Sequence, residues 1–233
     1  MISLPNVQPS EKYEHREDGS LEVQSCFLTI QGEGPLAGRS SVFLRLNGCT
    51  LSCPNCDTDY TSSRTLFSVP SLLSLIEEKW TVKSKRKLVV LTGGEPFRQN
   101  ISPLVDKLIS REFSVQIETN GTLPPKDLNL FADVVCSPKT PRINSDLERI
   151  IHSYKYVLKA EQIDPIDGLP VSSLGMPFPP ARPHVDFRGE IFVQPEDEKI
   201  LENNTRNLRV TVQSCFKFGY RLSIQGHKLA ELE

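Results

Sequence analysis

Residues 49–56, Cys-Thr-Leu-Ser-Cys-Pro-Asn-Cys, contain three cysteines that are spaced C-x3-C-x2-C. Structural zinc sites usually have four protein ligands, often arranged as two paired knuckles. A [4Fe–4S] cluster held by thiolates also normally has four. Thiolates from Cys49, Cys53 and Cys56 would therefore leave one iron of such a cluster open to a small molecule. A zinc site with a distant fourth ligand is the alternative interpretation of this spacing.

On both sides of this loop, predicted strands alternate with predicted helices. Residues 41–47, just before the first cysteine, alternate apolar residues with a second face that carries Arg45. Residues 87–92, KLVVLT, form a continuous apolar run that is typical of a buried parallel strand. Further strands are predicted at residues 21–31, 114–118, 133–136, 154–158, 191–194 and 220–225, and helices at 70–80, 102–111, 146–151 and 204–218, the last with Leu208, Val212, Cys215 and Phe216 on its apolar side. This alternation indicates βαβ units, an α/β fold and a mainly parallel sheet.

Polar loops of distinct sequence follow these strands. Gly93-Gly94-Glu95-Pro96 follows the strand at 87–92, Ser137-Pro138-Lys139 follows the strand at 133–136, and Gln194-Pro195-Glu196-Asp197 closes the strand at 191–194. Parallel strands end at one edge of a sheet, and α/β proteins place their chemistry at that edge. We therefore expect these loops and the cysteine loop to surround one mouth.

Composition excludes several classes of function. The 233 residues carry 27 Lys+Arg against 29 Asp+Glu, a net charge of −2, which gives no basic footprint for nucleic acid or an acidic membrane. No apolar run approaches membrane-spanning length, so a cytoplasmic protein with reduced thiols is expected. Six cysteines in a chain of this length do not make a disulfide scaffold. We interpret Cys26, Cys136 and Cys215 as small buried hydrophobic residues.

The domain organisation is expected to be simple. Residues 21–233 are predicted to form one domain, and the polar residues 1–20 a flexible or loosely attached extension. Residues 162–190 hold six prolines and three glycines. Because proline at that density blocks both helices and central strands, this segment is predicted to be a surface loop, either a functional lid or a tolerated insertion.

The cysteine loop and its flanks resemble those of the radical S-adenosylmethionine (SAM) enzymes. The flanking sequences are Thr29-Ile30-Gln31-Gly32-Glu33-Gly34 upstream, Arg45 four residues before the first cysteine, and Asp57-Thr58 after the third. Within that superfamily the chain resembles the 7-carboxy-7-deazaguanine synthases over residues 21–228. The resemblance implies an incomplete, TIM-like, mainly parallel barrel, with a [4Fe–4S] cluster on Cys49, Cys53 and Cys56 and SAM on the open iron. One departure is Asn55, which occupies a place where radical SAM proteins usually carry an aromatic or apolar residue near the adenine.

The resemblance also assigns cofactor contacts. It places SAM against Gly94, Glu95, Ser137, Pro138, Lys139, Gln194, Pro195, Glu196 and Asp197, and Mg²⁺ on Thr58. Taken alone, a Gly-Gly turn or a Ser-Pro pair is often only a turn, and turn chemistry or helix capping explains residues 194–197 equally well. A single hydroxyl is a poor Mg²⁺ site by itself, so substrate oxygens and water would complete the shell.

The implied reaction is the ring contraction of 6-carboxy-5,6,7,8-tetrahydropterin to 7-carboxy-7-deazaguanine with loss of ammonia, in queuosine biosynthesis. Arg45 is expected to bind the substrate carboxylate through its bidentate fork. The other expected substrate residues are Ile30, Gln31, Gly32, Thr92, Glu118, Gln225 and His227. Each has an ordinary alternative: a surface arginine, a strand exit, a carboxylate that caps a helix, or a structural histidine.

The expected partners are a flavodoxin- or ferredoxin-like electron donor and a second copy of the chain in a homodimer. Two other functions fit the cysteine loop. An activase that places a glycyl radical on a partner protein would share the cluster, although the Gln31–Gly34 loop argues against it. A zinc-binding structural module would not be an enzyme, and would stay colourless when prepared without oxygen.

Overall fold

The computed structural model describes residues 6–232. In this part of the chain, nine strands form a single sheet in the order β3-β1-β2-β4-β5-β6-β7-β8-β9. The strands are β1 Leu21–Ile30, β2 Ser40–Leu46, β3 Thr65–Phe67, β4 Lys87–Gly93, β5 Phe113–Thr119, β6 Asp133–Cys136, β7 Ser153–Leu158, β8 Glu190–Pro195 and β9 Arg221–Leu222. β1 is antiparallel to β2 and β3, whereas every pair from β2 to β9 is parallel. The expected incomplete, mainly parallel barrel is confirmed.

The two faces of the sheet differ because successive side chains of a strand point to opposite sides. One face carries the apolar core, represented by Leu44, Leu91, Ile117 and Tyr154. The other face carries polar side chains at neighbouring positions of adjacent strands, such as Arg45 of β2, which is paired with Thr92 of β4. The concave face of the sheet is therefore available for polar chemistry.

The helices are α1 Val69–Lys79, α2 Ser102–Ser110, α3 Ser145–Glu148, α4 Leu201–Phe218 and α5 Gly226–Leu229. α1 and α2 pack their apolar sides on the core, whereas α5 has no buried residue. Ser68 caps the N-terminus of α1, and its hydroxyl accepts a hydrogen bond from the amide of Ser71 at 3.3 Å. No helix within residues 6–232 is long and apolar enough to cross a membrane.

The predicted orientation of α4 is wrong. Its buried residues are Asn207, Thr211 and Ser214, whereas Phe216 is 85% exposed. Asn207 accepts from the amide of Ala160 at 2.8 Å and donates to the carbonyl of Glu196 at 2.9 Å. Because those loop groups need partners, the helix turns a polar face inward.

The C-terminal region also differs from the prediction. The strand expected at residues 220–225 contains only Arg221–Leu222, and the short helix α5 follows it. The segment after β9 then meets the segment after β1 across the open side of the sheet. Ser223 Oγ accepts from the amide of Gly34 at 3.0 Å, and Gln225 Nε2 donates to Glu33 Oε1 at 2.7 Å. Loops rather than strand pairing thus join the two ends of the barrel.

Residues 6–20 are closely attached to the domain, contrary to the expectation of a loose extension; residues 1–5 lie outside the described part. Asn6 donates from its amide to the carbonyl of Pro54 at 2.8 Å, and Glu11 to that of Cys49 at 2.6 Å. Gln8 Nε2 donates to the carbonyl of Thr58 at 2.9 Å. Backbone amides and the Gln8 side chain of this segment therefore satisfy carbonyl groups of the cysteine loop, which has no regular structure of its own to do so.

Candidate active site

A cavity of about 460 Å³ opens at the edge of the sheet where the parallel strands end. The four loops that we expected at one mouth all contribute to its wall: Cys49, Cys53 and Cys56, then Gly93 and Gly94, Ser137 with Lys139, and Gln194 to Asp197. Its size is that of a small-molecule site.

The cysteine loop fits an iron–sulfur cluster. All three thiols are free and line the same cavity, and burial raises the pKa of each, that of Cys49 to about 12. Cluster binding must therefore displace thiol protons. Within residues 6–232, no three side chains of His, Cys, Asp or Glu are grouped around a single metal position. In a cluster each thiolate binds a different iron.

Gly94 lies directly beneath the cysteine loop. A β-carbon on Gly94 would lie 1.9 Å from the carbonyl oxygen of Gly48, so only glycine permits this approach. The amide of Glu95 donates to the same oxygen at 2.9 Å. The Gly-Gly pair therefore sets the position of the loop that carries Cys49.

Glu95 does not line the cavity, in contrast to the expected SAM contact. Its side chain is fully buried and accepts from the Thr119 hydroxyl at 2.8 Å and from the amides of Asn120 at 2.7 Å and Phe97 at 3.1 Å. Burial raises the pKa of Glu95 to about 7, against the opposing effect of these hydrogen bonds. In this structure Glu95 fastens the loops after β4 and β5 to each other.

Lys139 projects into the cavity from the loop after β6. Its Nζ donates to the Ser137 carbonyl at 2.7 Å and to the Ser137 hydroxyl at 2.6 Å, and burial lowers its pKa. Pro138 is not among the lining residues. Ser137 and Lys139 thus place a hydroxyl and a cation beside the thiols.

Asp57 and Thr58 extend the cysteine loop along the cavity wall. Thr58 Oγ1 donates to Asp57 Oδ1 at 3.3 Å, and its remaining lone pairs fit an oxygen-liganded cation. Lys228 of α5 bridges Asp57 Oδ2 at 3.0 Å and Asp197 Oδ2 at 3.2 Å. This bridge holds the cysteine loop against the loop after β8.

Arg45 projects into the cavity from β2. Its guanidinium carbon lies 5.4 Å from the centroid of the Phe27 ring, and no ion pair or hydrogen bond to it occurs within residues 6–232. An arginine held by an aromatic ring with its donors unused is suited to bind an anion.

The remaining expected substrate residues divide into two groups. Gln31, Thr92, Glu118, Gln225 and His227 line the cavity, whereas Ile30 and Gly32 do not. Gly32 instead packs against the imidazole of His227. Burial lowers the pKa of His227, whose Nδ1 is buried without a hydrogen-bond partner in the described part of the chain.

Comparisons with known proteins agree with this geometry. Residues 44–160 match the family model described as the radical SAM superfamily. The 7-carboxy-7-deazaguanine synthase of Rhodospirillum rubrum is 41% identical over 228 residues, which cover 91% of this chain and 93% of that protein. The chain belongs to the 7-carboxy-7-deazaguanine synthase family. Its counterpart from Rickettsia prowazekii is 36% identical over 93% of this chain and 91% of its own length.

A solved structure shares the fold at lower identity. The crystal structure of QueE from Escherichia coli aligns with a TM-score of 0.66 and 24% identity, covering 88% of this chain and 94% of that one. This likeness concerns the fold, an open and mostly parallel sheet.

Lys155 and Glu33 are charged members of the wall to which the sequence assigned no role. Lys155 lies in β7 and was interpreted only as part of a buried strand, and Glu33 belongs to the quoted Gln-Gly-Glu-Gly loop but received no role. Both line the cavity. The available signal was a lysine inside the otherwise uncharged strand Ser-Tyr-Lys-Tyr-Val-Leu, since a buried lysine needs a partner.

The Pro-rich segment 162–190 forms part of the same wall through Leu174. The carbonyl of Leu174 accepts from the amide of Asn55 at 3.0 Å. Asn55, the residue at which this chain departs from the pattern of radical SAM proteins, donates from Nδ2 to Glu196 Oε1 at 3.1 Å. An apolar side chain from another segment therefore lies in the cavity wall beside the position where this chain carries asparagine.

Proposed function

We propose that this chain converts 6-carboxy-5,6,7,8-tetrahydropterin to 7-carboxy-7-deazaguanine with loss of ammonia, a step of queuosine biosynthesis. The observation that carries the proposal is that three free thiols and an unpaired arginine line one cavity. The named relatives, alike over nearly their whole length, support the same reaction.

Cys49, Cys53 and Cys56 would hold a [4Fe–4S] cluster, which together with bound SAM would supply hydrogen-atom abstraction from the substrate. The chain orients the reactants. Gly94 allows close approach of the backbone, and Ser137, Lys139 and residues 194–197 offer polar contacts to SAM. Glu95 acts indirectly, through the loops after β4 and β5 that it joins.

Arg45 binds the substrate carboxylate in this proposal, while Gln31, Thr92, Glu118, Gln225 and His227 face the pterin ring. Thr58 would supply a direct protein ligand to Mg²⁺, and oxygens of the substrate and of water would complete its shell. A homodimer and a flavodoxin- or ferredoxin-like electron donor complete the proposal, on the strength of the family resemblance. A cytoplasmic location stays a prediction.

The test is anaerobic reconstitution with iron and sulfide, followed by reaction with SAM, Mg²⁺, a reductant and the carboxylated tetrahydropterin. We expect 7-carboxy-7-deazaguanine and ammonia in equal amounts, without net consumption of SAM. The Cys53→Ala variant, treated identically, should give neither product. A cluster-loaded protein that cleaves SAM but forms no deazaguanine contradicts the proposal, as does a protein that stays colourless.

A further inference from the structure

The cavity wall contains a buried ammonium between two carboxylates. Lys155 of β7 is 5% exposed, and its Nζ donates to Glu33 Oε2 and, at 2.9 Å, to Glu118 Oε2. The three side chains come from the segment after β1, from β5 and from β7. This group, the Lys155 cluster, therefore joins three separate parts of the fold.

Amide side chains occupy the other oxygen of each carboxylate. Glu118 Oε1 accepts from Gln31 at 2.9 Å and from Gln116 at 3.0 Å. Glu33 Oε1 accepts from Gln225 at 2.7 Å and from Gln194 at 3.2 Å. A carboxylate oxygen offers about two acceptor positions. Both Oε1 atoms are thus filled, and each Oε2, which within residues 6–232 accepts only from Lys155, keeps one position free.

The Lys155 cluster also keeps an excess negative charge, because one ammonium faces two carboxylates. Burial alone would raise the pKa of Glu33, but the charge and hydrogen bond of Lys155, with help from Gln225, lower it to about 2. Burial alone would lower the pKa of Lys155, but Glu118 and Glu33 raise it. The cluster therefore favours a ligand group that donates hydrogen bonds.

We propose that Lys155 is a positioning residue, which holds Glu33 and Glu118 at a fixed separation so that their Oε2 atoms accept from two N–H groups of a cyclic guanidine edge. The 2-amino-4-oxopyrimidine ring of a pterin has such an edge, so this inference rests on the proposed function. A ligand without those N–H groups would leave the second acceptor position of each Oε2 unfilled, and such sites discriminate against it.

The test compares equilibrium binding of the carboxylated tetrahydropterin to reconstituted, SAM-loaded variants. Lys155→Met leaves two carboxylates facing each other, so at least one must move or take up a proton. We expect about ten- to a hundredfold weaker pterin binding, with SAM binding changed less than about twofold. Lys159→Met is the matched control: Lys159 pairs with Glu198 at 2.7 Å and is not among the lining residues, so it should leave both affinities unchanged.

A double-mutant cycle separates positioning from general structural damage. In a Glu118→Gln background, Lys155→Met should weaken pterin binding by a clearly smaller factor than in the unmodified protein, because one of the two carboxylates that Lys155 positions is gone. An equal cost in both backgrounds, or a parallel loss of SAM binding, overturns the inference. If Lys155→Met does not fold, the double variant Glu33→Gln/Lys155→Met replaces it, because it keeps the net charge of the cluster. We expect it to show the same weakening of pterin binding and the same unchanged SAM binding.

The outcomes distinguish a failure of the role of Lys155 from a failure of the proposed function. Unmodified protein that binds and converts the pterin, together with a Lys155→Met variant of equal affinity, removes only the role of Lys155. Unmodified protein that does not bind the pterin contradicts the proposed function and this inference with it.

Discussion

The α-carbon of Gly32 lies against the imidazole of His227. A β-carbon built on Gly32 would lie 1.9 Å from His227 Nδ1, about half the usual contact distance between non-bonded atoms. The amide of Gly226, at the start of α5, donates to the Gly32 carbonyl at 3.3 Å. The absence of a side chain at residue 32 therefore determines the position of the His227 imidazole in the cavity wall.

Gly32→Ala should displace the imidazole of His227 and lower pterin affinity or turnover at least about tenfold. Gly226→Ala is the matched control, since a β-carbon there would meet only the Gly32 carbonyl oxygen, at 4.0 Å. That control should stay within about twofold of the unmodified protein. Steady-state kinetics under anaerobic conditions measure both. An alanine at residue 32 without effect would refute the assigned position of His227.

Only three of the six cysteines should be needed for the cluster. Cys53→Ala should abolish the brown chromophore and SAM cleavage. Cys26→Ala, Cys136→Ala and Cys215→Ala should keep both, because these residues lie in β1, β6 and α4. Visible absorbance and iron content provide the measurement. Loss of the cluster on changing Cys136 or Cys215 alone would indicate a four-cysteine site.

Arg45→Ala should weaken pterin binding by about ten- to a hundredfold, which corresponds to one charge-assisted contact of about 1.5–3 kcal/mol. The cluster and slow SAM cleavage without substrate should persist, because Arg45 is assigned to the substrate alone. Excess substrate should partly restore turnover. A variant that loses SAM cleavage while binding the pterin normally shows that the assignment is wrong.

Thr58→Ala should reduce the response of the rate to added Mg²⁺, because the ion loses its one direct protein ligand. Thr58→Ser keeps the hydroxyl and should retain the response. Titration of the rate with Mg²⁺ distinguishes this phenotype from that of Arg45→Ala, in which the metal dependence should be unchanged. Equal Mg²⁺ responses in the alanine variant and the unmodified protein would remove Thr58 from the metal site.

Glu95 should make the stability of the cluster-free chain depend on pH. Burial raises its pKa from 4.5 in the unfolded chain to about 7 in the folded one, so the folded state binds the proton more tightly. The resulting stabilisation is complete below pH 4.5 and is lost as the pH rises through about 7, by about 3 kcal/mol. Urea unfolding across this range should show that the free energy of unfolding of the unmodified chain falls as the pH rises. The free energy of unfolding of Glu95→Gln should lack this decrease. A parallel pH profile for both proteins contradicts this prediction.

The sequence predicted the elements whose local pattern agrees with their environment. The apolar run ending at Gly93-Gly94 predicted β4, and the alternation around Arg45 predicted β2. The parallel order of the strands then brought their polar ends to one cavity. These features depend on short-range periodicity together with a general rule for parallel sheets.

Features set by distant polar partners could not be predicted. Asn207 faces inward because the loops before and after β8 need hydrogen bonds, although the pattern of α4 favours Leu208 and Phe216. Lys155 is tolerated in a buried strand only because Glu33 and Glu118 arrive from elsewhere in the chain. Residues 6–20 have the composition of a solvated extension, and their attachment depends on backbone groups of the cysteine loop.

The junction between the segments after β1 and after β9 bears on how the molecule folds. Its hydrogen bonds, from Gly34 to Ser223 and from Gln225 to Glu33, join residues 189 and 192 positions apart. Bringing such distant residues together costs chain entropy until the intervening strands have paired. Pairing of the strands should therefore precede completion of the cavity. A late folding intermediate should contain most of the β-structure before His227 packs against Gly32.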